Sequence, residues 1–301
     1  SVIEPICLPQ NKQGHQLFIL REDLIHSIIS GNKWRKLKYV FEFVQTHKFD
    51  GLITYGGAYS NHLVACAAAA KLHGIHCVLK VRGEELEPNS NEYLSFCKSQ
   101  GAELHFISRA DFHGEKHIYG PLEIHGKTYF SIPEGGAHAL GLKGCLEIVD
   151  QSMDYDFIAL AQGTTTTSLG VLLSSSPNTE VWVFPVLKGF DSIQEMQTLA
   201  KKFDYEEEWN LNNHRLRVFS NYHFSDIHHK TVCHLFHRHL FLFCHFFNIL
   251  FRHCGFINLH ILSYCCIYSL NLIGLQYIIE KIGNCKTLYS HSQGPDSNYQ
   301  K

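Results

Sequence analysis

Acidic residues and proline are what this sequence runs short of, and only over part of its length. No Asp or Glu occurs from Ile227 to Ile279 and no proline between Pro185 and Pro295, in a chain of 301 residues that carries 28 Asp+Glu and 8 Pro. Lys+Arg number 26 for a formal net charge of -2, so no chain-wide basic field exists to hold nucleic acid or an anionic membrane, and no local basic patch stands out. No Cys-x-x-Cys pair occurs either. Cys7, Cys66, Cys77, Cys97 and Cys145 stand singly and read as small buried apolar residues of a reducing compartment. The opening Ser1-Val2-Ile3-Glu4-Pro5 has no basic segment leading into an apolar one, so a cytoplasmic address is expected and a secretory signal is not.

What is present suggests about two domains of ordinary size, since 301 residues at 45% hydrophobic can bury a substantial core. Up to about residue 202 strand-like and helix-like segments alternate. Trp34 to His47 carries Leu37, Val40, Phe41 and Val44, the stripe of an amphipathic helix. Gly51 to Tyr55 reads as a strand, Asn61 to Ala70 as a helix stopped at Gly74, Ile75 to Val81 as a strand, Asn89 to Gln100 as a helix and Glu103 to Ser108 as a strand. Asp156 to Ala161 and Glu180 to Val186 read as strands, and Asp191 to Phe203 as a helix. Alternation of this kind predicts βαβ units and parallel sheet with helices on both faces.

Three segments could carry chemistry. Ser30-Gly31-Asn32-Lys33-Trp34-Arg35-Lys36 lies at a helix start, where a lysine flanked by cations is a candidate nucleophilic or Schiff-base amine. The plainer alternative makes Asn32 a helix cap and Arg35, Lys36 and Lys38 a solvated face. Tyr55-Gly56-Gly57-Ala58-Tyr59-Ser60-Asn61-His62 is a strand end, a glycine turn and a helix start, which aims Ser60 and Asn61 either into a ligand crevice or onto the helix as caps. Gln162-Gly163-Thr164-Thr165-Thr166-Thr167-Ser168 joins a strand to a helix, and its amides and hydroxyls suit an anion. Without a Gly-Lys-Ser/Thr sequel it does not suit a nucleoside triphosphate. A lysine amine, a polar pair at a sheet edge and a phosphate cup are together what pyridoxal phosphate requires.

Arg21-Glu22-Asp23-Leu24, Ser30-Gly31-Asn32-Lys33, Gly56 to His62, Ile132-Pro133-Glu134-Gly135-Gly136-Ala137, Gly163 to Thr167 and Val186-Leu187-Lys188-Gly189 occur in one order over about residues 5 to 222. This set resembles the D-cysteine desulfhydrase and 1-aminocyclopropane-1-carboxylate deaminase family, of the tryptophan synthase β-like pyridoxal-phosphate fold. The resemblance implies an α/β protein of two open twisted parallel-sheet domains with flanking helices, 46–150 forming the smaller and 1–45 plus 151–301 the larger. It implies that Lys33 binds the cofactor and acts in catalysis, that Ser60 stands beside the reacting carbon, and that Asn61 bonds the cofactor's phenolic oxygen. Gly163, Thr164, Thr165, Thr166 and Thr167 become the phosphate loop, with Thr165 where a glycine is common. The reaction implied converts a small amino acid, D-cysteine or 1-aminocyclopropane-1-carboxylate, to a 2-oxo acid and ammonia. A homodimer is implied as well, and no metal, nucleic-acid or membrane partner is expected.

The family's Asp-Pro-x-Tyr-x-x-Lys stretch should fall near residues 258 to 272, where this chain has Asn258-Leu259-His260-Ile261-Leu262-Ser263-Tyr264-Cys265-Cys266. A family end of the form His-Thr-Gly-Gly has its counterpart in His291-Ser292-Gln293-Gly294, with Ser292 in the place of the threonine that faces the pyridine nitrogen. Between these landmarks His223 to His260 holds nine of the 22 histidines. As a metal site, His234, His237, His239, Cys244, His245, His253 and Cys254 lack both a two-pair spacing and acidic partners for the imidazoles. Cys254 to Ile279 is long enough to span a membrane, yet Asn258, His260, Ser263, Asn271 and Gln276 make it a poor span. The reading adopted for about 223–282 is a shifted frame or decay, with a catalytically impaired remnant as the alternative to an active enzyme. Sequencing the gene is the check: one nucleotide corrected near codon 225 should restore an Asp-Pro-x-Tyr stretch, and failure of every single correction rejects the idea.

Overall fold

The computed structural model describes residues 1–6, 16–185, 189–220 and the backbone of 261–263. In chain order its elements begin with β1 (Val2–Pro5), β2 (Phe18–Arg21), α1 (Asn32–Thr46), β3 (Gly51–Gly57), α2 (Asn61–His73) and β4 (His76–Arg82). Then come α3 (Glu92–Ser99), β5 (Glu103–Ile107), α4 (Arg109–Glu115), β6 (Gly120–Ile124), β7 (Lys127–Ile132) and α5 (Ala139–Cys145). The remainder are β8 (Phe157–Gln162), α6 (Thr166–Ser174), β9 (Glu180–Pro185), α7 (Ser192–Lys202), α8 (Glu206–Asn212), β10 (Leu216–Val218) and β11 (Ile261–Ser263). Their limits follow local chemistry. Asn91 and Asp191 cap α3 and α7 by accepting from Leu94 N–H and Gln194 N–H, and Gly74, at φ 64, closes α2.

Two sheets form. The first runs β5-β4-β3-β7-β6 and the second β1-β2-β11-β8-β9-β10. Parallel pairing dominates, with β3 against β4 from Gly51↔His76 to Gly57↔Arg82 and β8 against β9 from Phe157↔Glu180 to Gln162↔Pro185. Each sheet also has an antiparallel edge, β6 on β7 and β1 on β2, which the expectation of purely parallel sheets had not included. The β6–β7 hairpin turns through His125 and Gly126, both at positive φ, an arrangement that βαβ reasoning has no place for.

Sequence order and packing part company at α1. Its stripe Leu37, Val40, Phe41 and Val44 is buried with Leu52, Leu79 and Val81 of the first sheet. On its other side α1 meets α5, whose Leu142 and Cys145 belong to the core of the second sheet with Leu160, Leu169, Val183 and Met196. A division into 46–150 and 1–45 plus 151–301 is therefore kept as a proposal, with α1 the helix that joins the two cores. No helix among the described residues is long and apolar enough to cross a membrane. The candidate span, apart from the backbone of Ile261–Ser263 in β11, lies outside the described residues, as do the His/Cys cluster and Ser292.

The α1–α5–α6 contacts are backbone-close. A Cβ on Gly144 would stand 1.8 Å from Arg35 O, and one on Gly170 would stand 2.5 Å from Cys145 Cβ. Helix α5 is itself started by His138, whose Nδ1 accepts from Gly141 N–H at 3.0 Å. That bond puts the ring proton on Nε2, which is buried without a partner. Burial, with the Lys36 charge adding to it, holds this imidazole's pKa down at about 3.

Two stability predictions follow from these contacts. Gly144→Ala must push α1 and α5 apart and should cost at least about 2 kcal/mol in urea unfolding, a loss that a Gly114→Ala control, at an exposed position of α4 with ordinary helical φ and open space around it, should not share. For His138 the unfolded chain takes up a proton near pH 6.5 while the folded chain does so only near 3, so stability is full above pH 6.5 and drains as pH falls between those values. His138→Asn keeps a cap acceptor but not the titration. From pH 7 to pH 5 the parent should lose about 2 kcal/mol more than His138→Asn, and parallel curves would reject the assignment.

Candidate active site

The site begins with a buried ion pair. Glu22, 1% exposed, accepts from Arg35 Nε and Nη2 at 2.9 Å each, and its backbone oxygen accepts from Gly31 N–H at 2.9 Å. Gly31 sits at φ 63, ψ -147, a conformation costly for any residue with a Cβ, and it is Gly31 that precedes the helix as its N-cap. The alternative that made Asn32 the cap is thereby overturned. Asn32 is the first helical residue, and its side chain spans to α6: Nδ2 donates to Thr167 Oγ1 at 2.9 Å while Oδ1 accepts from Lys33 Nζ at 3.2 Å.

The solvated face expected of Arg35, Lys36 and Lys38 is overturned as well. Lys38 is exposed, but Lys36 is completely buried and Arg35 is held by Glu22. Lys36 Nζ donates to Gly135 O and to Thr164 Oγ1, both at 2.9 Å and both neutral oxygens. Gly135 and Gly136 adopt φ 69 and 72, which turns the Gly135 carbonyl toward the ammonium, and a Cβ on Gly136 would come within 3.3 Å of Lys36 Cδ. Sequence reasoning quoted this glycine pair without giving it a role, and it missed Lys36. One signal was available: Lys33 and Lys36 are three residues apart and so share a helix face.

Ser60 caps α2, its Oγ accepting from Leu63 N–H at 3.3 Å, and it is partly exposed at the carboxyl end of β3 beside Asn61. Asn91 Nδ2 steadies this loop by donating to Ala58 O at 3.2 Å. Beneath it His62 is 3% exposed. Thr54 Oγ1 donates its proton to Ile132 O and lies 2.8 Å from His62 Nε2, so the imidazole is the donor in that pair. Desolvation, then the charges of Lys33 and Lys36, hold His62 well below the ordinary histidine range, and it stays neutral.

Opposite α1 lies the threonine run. Thr165 has φ -71, so a threonine where glycine is common meets no conformational penalty. Thr164 accepts from Lys36 and Thr167 from Asn32. The hydroxyls of Thr165, Thr166 and Ser168 are buried without hydrogen-bond partners. Gly163 is exposed, and a Cβ there would meet nothing of the protein within 4 Å. Orphaned hydroxyls, the first turn of α6, a glycine the chain itself does not require and the buried Lys36 ammonium compose a cup for a compact anion. The Val186-Leu187-Lys188 part of the last motif lies outside the described residues.

No protein-family model matches the chain. Among curated proteins it is 30% identical over 188 residues to a bifunctional D-cysteine desulfhydrase/1-aminocyclopropane-1-carboxylate deaminase, mitochondrial, of Arabidopsis thaliana, covering 56% of this chain and 47% of that one. It is 34% identical over 172 residues to a putative 1-aminocyclopropane-1-carboxylate deaminase of Pyrococcus horikoshii, covering 54% and 52%. With a D-cysteine desulfhydrase of Serratia proteamaculans it shares 27% over 206 residues, 62% of each. The matched region thus spans about half the length of these relatives. Among solved structures, an ACC deaminase homologue superposes with TM-score 0.65 at 21% identity over 93% of both chains. A fungal L-serine ammonia-lyase from Rhizomucor miehei superposes with TM-score 0.55 at 13% identity over 93% of this chain and 99% of that one. The chain has the tryptophan synthase β-like fold, and it is a relative of the D-cysteine desulfhydrases and 1-aminocyclopropane-1-carboxylate deaminases.

Proposed function

We infer that the chain is a pyridoxal-phosphate-dependent lyase or deaminase that converts a small amino acid to a 2-oxo acid and ammonia. The observation that carries this reading is the placement of Lys33 and Lys36 on one face of α1 against the threonine cup, with Lys36 bonded to Thr164 and Lys33 to Asn32. The residues fit the cofactor: three unpartnered buried hydroxyls and a buried ammonium are the complement of a phosphate dianion. When bound, pyridoxal phosphate supplies an electron sink for the pair left at an amino acid's Cα when its proton is removed.

The chain's own groups do the rest. Lys36, Thr164, Thr165, Thr166 and the Gly163 backbone would hold the phosphate. Thr167 would set the α1–α6 distance through Asn32. Lys33 Nζ would attach the cofactor and then take or return the proton at Cα, with Asn32 Oδ1 orienting the amine. Asn61 would bond the ring's phenolic oxygen. Ser60, at the start of the 13-residue α2, would hold the substrate carboxylate or pass a proton to the reacting carbon. His62 and His138, kept neutral by burial, leave the positive charge of the site to the two lysines. D-cysteine and 1-aminocyclopropane-1-carboxylate are the substrates proposed, and a cytoplasmic homodimer is the form proposed by analogy, checked by light scattering.

Purified chain incubated with pyridoxal phosphate should turn yellow and release 2-oxo acid and ammonia from one of the two amino acids. Lys33→Ala should abolish both colour and turnover. Lys36→Met should raise the cofactor's Kd by about 10- to 100-fold, the loss of one charge-assisted hydrogen bond of roughly 1.5–3 kcal/mol. A colourless, inert protein whose unfolding transition is intact would instead establish the impaired remnant.

A further inference from the structure

At the carboxyl edge of the first sheet the loop from Gly57 to Ser60 forms one wall of a cavity of about 810 Å³, with Arg82, Glu85, Arg109, Phe112, Lys116 and Glu134 among the other walls. Its fixed charges are unequal: Arg82, Arg109 and Lys116 against Glu85 and Glu134, three less two, a surplus of one positive. Arg109 lies 3.5 Å from Glu85 and Lys116 lies 3.6 Å from Glu134, so those four offset one another. Arg82 is the cation left over and makes no ion pair among the described residues. Its guanidinium carbon stands 5.5 Å from the centroid of the Phe112 ring, and a Cβ on Gly57 would lie 3.5 Å from its Nη2. The group is thus supported by an aromatic wall on one side and by the Ser60 loop on another. A guanidinium held in this way presents forked N–H donors suited to an oxyanion.

A substrate the size of D-cysteine fills a small part of such a volume, and with its one carboxylate at Ser60 it has no second oxyanion for Arg82. We propose that the cavity takes an amino acid whose side chain ends in an oxyanion, with Ser60 at its backbone end and Arg82 at its side-chain end. The proposal rests on the reading of Ser60 given above and names the substrate class of that same site. Arg82 is then the residue that selects substrate by charge.

Isosteric pairs test it without turnover, because glutamate and glutamine, or aspartate and asparagine, carry no β-leaving group and differ chiefly in charge. Calorimetric titration of the full chain, with and without pyridoxal phosphate and with both enantiomers, should give the acid at least about a 10-fold lower Kd than its amide. Arg82→Ala should bring that ratio to within about 2-fold, Arg82→Lys should keep part of it, and raising the salt should shrink it. Equal binding of acid and amide, a ratio indifferent to Arg82→Ala, or no binding of either overturns the proposal. Yellow protein with a ratio of one rejects the substrate class while the cofactor reading stands. An Arg82-dependent ratio in protein that never takes up pyridoxal phosphate upholds the cavity and rejects the cofactor reading instead.

Discussion

The near contact of α1 with α5, and of α5 with α6, is the constraint on which the rest of the site depends. Lys33 and Lys36 ride on α1 and the threonine cup opens α6, yet neither helix lies beside the other in sequence. Helix α5 sets their separation, and at Gly144 and Gly170 there is no room for one added carbon. With the backbones this close, a side chain as short as Asn32 reaches Thr167, and Lys36 reaches both Thr164 and the turned carbonyl of Gly135. Any spreading of the three helices would lengthen all of these bonds together. The buried Glu22–Arg35 pair has the same purpose at the other end: it anchors the turn that starts α1, so the first helical turn arrives with Asn32 and Lys33 already aimed.

Local periodicity made most of the scaffold legible. Leu37, Val40, Phe41 and Val44 announced α1, Gly74 announced the end of α2, and the apolar runs at Leu52 and Phe157 announced the central strands, because each signal is read within a few residues of where it acts. Gly144 and Gly170 carried no such signal. Their requirement comes from a helix far away in the chain, and a glycine inside a helix looks merely unfavourable until the neighbour is seen. Lys36 was misread for a related reason: residue type argues for solvent, and only the opposing Thr164 and the Gly135-Gly136 turn show what a buried ammonium is doing there. The candidate site was legible in kind at Lys33, Ser60, Asn61 and 163–167, and illegible in the groups that hold those residues in place.

Electrostatically the site is sorted by burial. Imidazoles that would compete for positive charge are pushed into their neutral forms beneath the loops, His62 against Thr54 and His138 at the start of α5. The charge that remains is carried by amines and a guanidinium, which keep it in surroundings where imidazole does not. Lys36 at the threonine cup and Arg82 at the outer cavity are then two separate positive positions, and Ser60 lines the cavity that holds the second. Such an arrangement favours a ligand assembly that is anionic at both extremities over one that is neutral at its outer end.

On the function proposed above, cofactor retention and turnover would be separable in this chain, because the residues proposed for each sit in different stretches of it. Every group named for attachment and for the phosphate lies between Glu22 and Ser168, where family motifs follow one another in order. The groups that the family resemblance assigns to the pyridine side of the ring, including the threonine replaced by Ser292, belong to the chain beyond residue 222, where the family pattern breaks. On the reading proposed above, Lys36, the threonine hydroxyls and Lys33 would hold the cofactor by charge, hydrogen bonds and a covalent link, none of which needs the pyridine nitrogen. The electron sink does need it, since the capacity to accept a pair from Cα depends on what faces that nitrogen. A chain with the first set of groups and an altered second set would bind pyridoxal phosphate as tightly as its relatives while its rate fell, so colour reports on the α1–α5–α6 core and turnover reports on the residues beyond it.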